Sequence, residues 1–419
     1  MDLVIFAIKS NALKALQSKT GKQTILLFAS QLVMVVIGFG IKTIQTNYLG
    51  TEGYGIYAFF GSFTAFTALF FRFGFYSSLQ VLLAENKNYQ KEQELFALGF
   101  IINFVIGLLY AAFVWIFSFY VDQLFDTSIG NILRVLAPLT IVIPTRNLIS
   151  AMTVGSNRVH ILPIYDNTAK VFFLIALGLF AYTDQLDVHT VISFNLLTLL
   201  ISIGIIYRQF NPQFKNLKTH FKSVWDKNKS FGFNFYLGST VNQSTFKLDE
   251  LAIAYFINTT VNGFYSLANL IASPMIMGSQ ALSNSLFKDF SHQKKIPQKV
   301  FVYNTIWLLF SMLFLYVFAD WIVHFLFTSE FGDVSQYAVG ISVALLFQGL
   351  YQPFNFLSAK SQGKAIRNVA FTEASINLIG NLTLIPIFGV LGAIYTSIFA
   401  KFVHLLGKIY YYNKYLKEN

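Results

Sequence analysis

Residues 238–256 read GSTVNQSTFKLDELAIAYF and lie in a stretch, 231–258, that is long enough to cross a bilayer. Asn242, Gln243, Lys247, Asp249 and Glu250 fall inside it, where hydrocarbon tolerates none of them. Such a helix spans a membrane only if its polar side faces protein or water. The rest of the chain must therefore supply a partner for that side.

The remaining sequence agrees with a membrane setting. The 419 residues are 55% hydrophobic and 12% charged, with 47 Phe, and the mean hydropathy of +0.56 lies outside the soluble range. Apolar runs of about 20 residues recur along the chain, too long for a soluble core and about twice the length of transmembrane barrel strands. An all-α integral membrane protein is expected. With no Cys, disulfides, thiolate-bound zinc and thiol catalysis are excluded. The apolar stretch 3–8 is too short for a signal-peptide core and no small-residue cleavage site follows, so residues 1–20 read as an amphipathic interfacial helix.

About twelve spans are predicted, over 22–48, 55–84, 95–119, 130–154, 162–183, 189–208, 231–258, 263–286, 300–325, 334–358, 368–386 and 390–411. The loops between them alternate in charge. One set holds basic residues such as Lys87, Lys91, Arg158, Lys215, Lys222, Lys294, Lys364 and Lys414. The other holds Glu52, Asp122, Asp126, Asp184, Asp187, Asp320, Glu330 and Asp333, with no Lys or Arg. By the positive-inside rule both termini are cytoplasmic and the number of spans is even. The formal net charge of +11 is largely this loop asymmetry, which topology and anionic headgroups explain, and no nucleic-acid partner is expected.

The longest hydrophilic stretch, from Arg208 to Ser230, falls at the midpoint. It divides the chain into a six-helix lobe over 1–210, a cytoplasmic linker over 211–230 and a second six-helix lobe over 231–419. An internal repeat at an offset of 208 residues supports two pseudo-symmetric lobes around a central cavity. Gly55 and Tyr57 in YLGTEGYGIY match Gly263 and Tyr265 in FINTTVNGFY, and NLISAMTVG (147–155) matches NFLSAKSQG (355–363). Copies separated by six spans share one orientation.

Seven basic residues fall inside the expected spans: Lys42, Arg72, Arg134, Arg146, Lys170, Lys247 and Lys401. Each would cost about 2.5–3.5 kcal/mol facing lipid at mid-depth, so most must line something wet or paired. Arg134 and Lys42 lie near outer ends and can snorkel. Span 1 aligns Gln31, Gly38, Lys42 and Gln45 on one face, and span 7 aligns Asn234, Gly238, Asn242, Thr245 and Asp249 beside Ser239, Gln243, Lys247 and Glu250. Span 8 aligns Asn269, Ser273, Gln280 and Asn284, with a kink offered by Pro274. Polar and small residues also glue helices together in lipid, which is the structural alternative for these stripes. TGKQT (20–24) lacks the first glycine and the Ser or Thr of a phosphate loop, and the six His have no metal spacing, so neither ATP hydrolysis nor a metal centre is indicated.

With YLGTEGYGIY (48–57), FKLDELAIAYF (246–256) and GVLGAIYTSIFAK (389–401) in place, the chain resembles the Wzx-type O-antigen and polysaccharide flippases. Their superfamily also holds the multidrug and toxic compound extrusion transporters and the MurJ-type lipid flippases. The resemblance spans essentially the whole chain. It departs in span 2, where the family often has an acid before the glycine and this chain has Arg72, Phe73 and Gly74. It implies a transporter and not an enzyme, moving an undecaprenyl-pyrophosphate-linked oligosaccharide across a bacterial inner membrane by alternating access. A polysaccharide polymerase and a chain-length regulator are implied partners, beside the bilayer itself.

On that basis Arg72, Lys247, Lys42 and Arg146 are expected to attract the pyrophosphate, and Asn234, Asn242, Gln243, Asn269, Gln280 and Asn284 to hydrate the sugar path. Asp249 and Glu250 are candidates for coupling to H+ or Na+, or counter-ions to Lys247 and Lys42; no cofactor is expected. The alternatives are an ion-coupled drug or cation antiporter of the same superfamily and a membrane glycan polymerase or ligase. The first should have an acid-dominated interior, and the second a large outer loop with basic residues.

Overall fold

A computed structural model describes residues 19–418 apart from 87, 159, 184–185, 287–289, 291 and 361, and without the side chains of 19–32, 238, 241–242, 245–246 and 284–285. The interfacial helix expected over 1–20 lies outside the described residues except at its last two positions. Every described element is helical or a turn.

Helix α1 runs Lys19–Thr67 and would reach about 74 Å if straight, more than twice the hydrocarbon thickness. It turns instead at Gly50, whose φ of 63° and ψ of −171° suit glycine alone. The two spans expected over 22–48 and 55–84 are thus joined by a one-residue corner. A 3-10 turn, Ala68–Phe71, continues the second arm. The chain then breaks at Phe73 and Gly74, with φ of 46° and 79°, before α2, Phe75–Glu85.

The first half continues through α3 (Tyr89–Phe117), short α4 (Val121–Phe125) and α5 (Gly130–Leu136). A 3-10 turn, Ala137–Val142, leads to α6 (Thr145–Gly155), followed by α7 (Ile161–Ala181) and α8 (Val188–Phe210). Asn88 caps α3 by accepting from the N–H groups of Gln90 and Lys91, and Asp187 caps α8 through Thr190 N–H. The linker forms α9, Leu217–Lys227, fastened to the start of α3 by His220 against Glu94 at 2.6 Å.

The second half holds α10 (Phe233–Phe256), α11 (Thr259–Ala272), α12 (Pro274–Ser285), α13 (Gln298–Leu326) and α14 (Asp333–Leu350). A 3-10 turn, Gln352–Asn355, precedes α15 (Phe356–Ala359), α16 (Gly363–Phe388) and α17 (Val390–Glu418). Breaks therefore recur in corresponding places: in the second span of each half, and again before 145 and 356.

Nine segments of the described residues are long and apolar enough to cross a membrane, against the twelve expected. The difference is local. The first two expected spans fall in one segment, Val33–Phe71. Helix α10 is too polar to qualify, and α11 and α12, at 14 and 12 residues, are each too short.

Helices α1 and α10 tie the halves together. Tyr54 and Ala58 of α1 belong to the apolar core of the second half, with Ile253, Leu308, Ile341 and Ile394. Leu251 and Ala254 of α10 belong to that of the first, with Phe59, Phe63, Tyr110 and Ile192. The repeat-related glycines meet where α1 crosses α11. A Cβ on Gly55 would lie 2.6 Å from Thr259 O, and one on Gly263 3.0 Å from Gly55 Cα. Only glycine permits this approach, as small residues do in lipid-embedded bundles generally.

Candidate functional site

Between α1, α6, α7, α8 and α10 lies a cavity of about 450 Å³, within the range of ligand pockets. Arg72, Arg146, Gln243 and Lys247 all border it. Three cations reach one space, and no Asp or Glu is among its described lining residues. A second cavity of about 290 Å³ shares Arg72, Arg146, Asn147 and Gln243 and extends along α2 past Tyr76 and Gln80.

Arg72 sits at the end of the 3-10 turn, just before the break. Asn228 Nδ2 donates to Phe73 O at 3.1 Å, and a Cβ on Gly74 would lie 2.6 Å from Gly232 O. The break is therefore clamped from the end of the linker and the start of the second half, and with it the guanidinium. Arg72 Nη1 donates to Gln243 Oε1 at 2.9 Å across the two halves. Its Nε is buried without a hydrogen-bond partner among the described residues. A buried donor in that condition costs about 1–3 kcal/mol until something accepts from it.

The other two cations are held differently. Arg146 makes a two-pronged pair with Asp166 of α7, Nε to Oδ1 and Nη2 to Oδ2, both at 2.8 Å. Lys247 Nζ donates to Glu250 Oε1 at 2.7 Å, and the other Glu250 oxygen accepts from Ser62 Oγ of α1. Lys42 stands beside this pair, its ammonium 4.6 Å from the Tyr57 ring centre and 5.0 Å from that of Tyr54. Both acids stand behind their cations, outside the lining. Arg72, held by a neutral amide, keeps its full charge toward the cavity.

Adjacent residues on a helix project about 100° apart, and Asp249 shows the result. It turns away from Glu250 into the second half, accepting from Tyr265 Oη at 3.1 Å, Asn381 Nδ2 at 3.1 Å and Ser397 Oγ at 3.2 Å. The two acids therefore belong to different surroundings.

The amides expected along the sugar path divide as well. Gln243 lines the cavity, whereas Asn234 and Gln280 are exposed elsewhere. Asn269 donates to Tyr265 O of its own helix at 3.1 Å. Span 8 is interrupted at Ser273–Pro274, where the kink was expected, between Asn269 and Gln280. The side chains of Asn242 and Asn284 lie outside the described residues. Of the remaining basic residues, Arg134 stacks on Phe119 at 4.1 Å and Lys170 is exposed.

Several lining residues escaped the sequence. Asn195 donates to Tyr57 Oη at 3.3 Å, and the buried hydroxyl of Tyr165 has no partner among the described residues. Asn147 was visible only as a member of the repeat. Tyr165 stands beside Asp166, whose acid inside a span was the available signal.

Helix order, corner positions and the inter-lobe cavity together define a two-lobe membrane transporter fold. Solved structures share it, two of them as follows. One is the lipid II flippase MurJ in an inward closed conformation, with a TM-score of 0.70 and 17% identity over 94% of this chain and 89% of that one. Another is a multidrug resistance MATE family transporter of the MOP superfamily, inward-facing, with a TM-score of 0.70 and 13% identity over 91% of this chain and 95% of that one. The chain belongs to the polysaccharide biosynthesis protein family, which matches residues 20–274. An uncharacterised membrane protein of Methanocaldococcus jannaschii is 24% identical over 281 residues, 61% of this chain. The aligned part spans about half of that relative, 54% of its length.

Proposed function

We propose that the protein is a flippase for an undecaprenyl-pyrophosphate-linked oligosaccharide, an O-antigen or other surface polysaccharide repeat unit, and works by alternating access in the bacterial inner membrane. The observation that carries this is the cavity bordered by Arg72, Arg146 and Lys247 with no acid in its described lining. A pyrophosphate and hydrated sugars do not cross about 30 Å of hydrocarbon unaided. Arg72, with its unpartnered Nε, seats the pyrophosphate, and Arg146 and Lys247 add positive field. Gln243, Asn147, Asn195 and Tyr57 offer hydrogen bonds to sugar hydroxyls. The family supports a role in polysaccharide biosynthesis, and the likeness to a lipid II flippase suits a lipid-linked substrate.

In this proposal the basic end is cytoplasmic, and coupling to H+ or Na+ involves the acids of α10, Asp249 and Glu250. A drug or cation antiporter has equal support from fold, through the MATE likeness, but a cationic cavity disfavours its cargo. Deleting the gene should leave lipid-linked repeat units on the cytoplasmic leaflet and remove surface glycan, and the intact gene should restore it. Normal surface glycan in the deletion strain would end the proposal. In proteoliposomes, Arg72→Ala should abolish flipping of a fluorescent lipid-linked glycan while export of a lipophilic cation stays absent in both proteins.

A further inference from the structure

The second half buries a column of ionisable groups that the cavity does not use. Lys401, His404 and Lys408 of α17 recur at steps of three and four and share one face. Helix α16 packs on α17 and sets Glu373 against that face. His404 Nδ1 and Glu373 Oε2 are 2.6 Å apart, and both residues are less than a tenth exposed. From the turn after α14, the Tyr351 ring stacks on the imidazole at 4.1 Å. Lys408 is buried, and Lys401 is close enough to both Glu373 and Asp249 of α10 to interact electrostatically with each.

The column brings two acids, Asp249 and Glu373, to two lysines, Lys401 and Lys408, with His404 between them. A proton taken up by His404 adds one positive charge to it. In its neutral form Nδ1–H donates to Glu373, which leaves Nε2 to take up a proton. Loading that proton turns the hydrogen bond between a neutral imidazole and the Glu373 carboxylate into an ion pair between α16 and α17. It also repels Lys401 and Lys408 on the same face, so the two loading states favour different packings of α17.

We propose that the Glu373–His404 pair is a proton-binding site whose loading shifts the protein between conformations. A proton from water adds to the imidazole and is later released, with no other bond changed. The proposal is independent of the substrate, because proton binding and conformation are both read on protein without glycan.

With 15N-labelled histidine in nanodiscs, the NMR signals that disappear in His404→Gln should pass from neutral imidazole to imidazolium as the sample is stepped down a range of pH. Glu373→Gln should change how those signals respond to pH. The chain has no Cys, so spin labels on cysteines placed at the exposed Gln90 and Lys299 report the separation of the two halves. The distance distribution should change with pH in the otherwise unaltered chain and lose most of that change in both variants. An unaltered chain whose His404 signals stay constant over the range would overturn the proposal, whether or not the variants fold. So would a pH response that survives in folded variants, or a titration with no change in distance.

Discussion

At the scale of single residues, the three cavity cations are not equivalent, and their partners explain why. Arg146 and Lys247 each face a carboxylate at hydrogen-bond distance, which offsets much of their field. Arg72 faces an amide and keeps one buried donor unanswered. A guanidinium presents a planar fork to an anion, which an ammonium does not. Arg72→Lys should therefore fail to rescue transport, with a flipping rate in proteoliposomes about tenfold to a hundredfold below the unaltered protein, from losing a charge-assisted contact of about 1.5–3 kcal/mol. Equal rates would mean that charge alone matters there. For Lys247 and Glu250 the expected signature is coupling. Lys247→Ala and Glu250→Ala should each lower thermal stability more than half as much as the double variant does, because each single change strands one charge of the pair. Strict additivity of the unfolding temperatures would refute that.

At the scale of elements, the breaks in the helices position these residues, and glycines make the breaks and crossings. Apolar length located the helical stretches, and ionisable residues inside them pointed to Arg72, Arg146 and Lys247, because hydrocarbon leaves such groups few alternatives. Helical phase was a weaker guide. It fixes which residues share a face only while the helix is straight, and the stripe through Asn269 and Gln280 crosses the break at Ser273–Pro274. It also does not specify which neighbour covers a face, and Asp249 turned out to serve the second half while Glu250 serves the first. The contact between Gly55 and Gly263 was legible only as a repeat. It yields a stability test: Gly55→Ala must force α1 away from the Thr259 carbonyl and should cost about 1–3 kcal/mol. Gly178→Ala, where a Cβ meets nothing within 4 Å, should be neutral or slightly stabilising. Equal melting temperatures for the two variants in detergent would show that the crossing can relax.

At the scale of the whole molecule, the distribution of charge sets the orientation on which any direction of transport depends. Along the sequence the expected loops alternate between a basic set and an acidic set, with Lys and Arg absent from the acidic set. Translocating Lys and Arg is disfavoured, so the basic end is expected in the cytoplasm, with the smaller of the two adjoining cavities extending toward it along α2. A cation gathered at that end attracts an anionic headgroup before the cavity does. Because the chain has no Cys, single Ser→Cys changes at exposed sites report sidedness with little perturbation. Ser128 and Ser329 lie beside the acidic loops, and Ser223 and Ser230 in the basic linker region, all four exposed. In intact cells a membrane-impermeant thiol reagent should label cysteines at 128 and 329, and reach those at 223 and 230 only after permeabilisation. Labelling of 223 and 230 in intact cells would invert the topology and place the smaller cavity on the outer side. A carrier of cytoplasmically assembled glycan would then be facing the wrong way in this conformation.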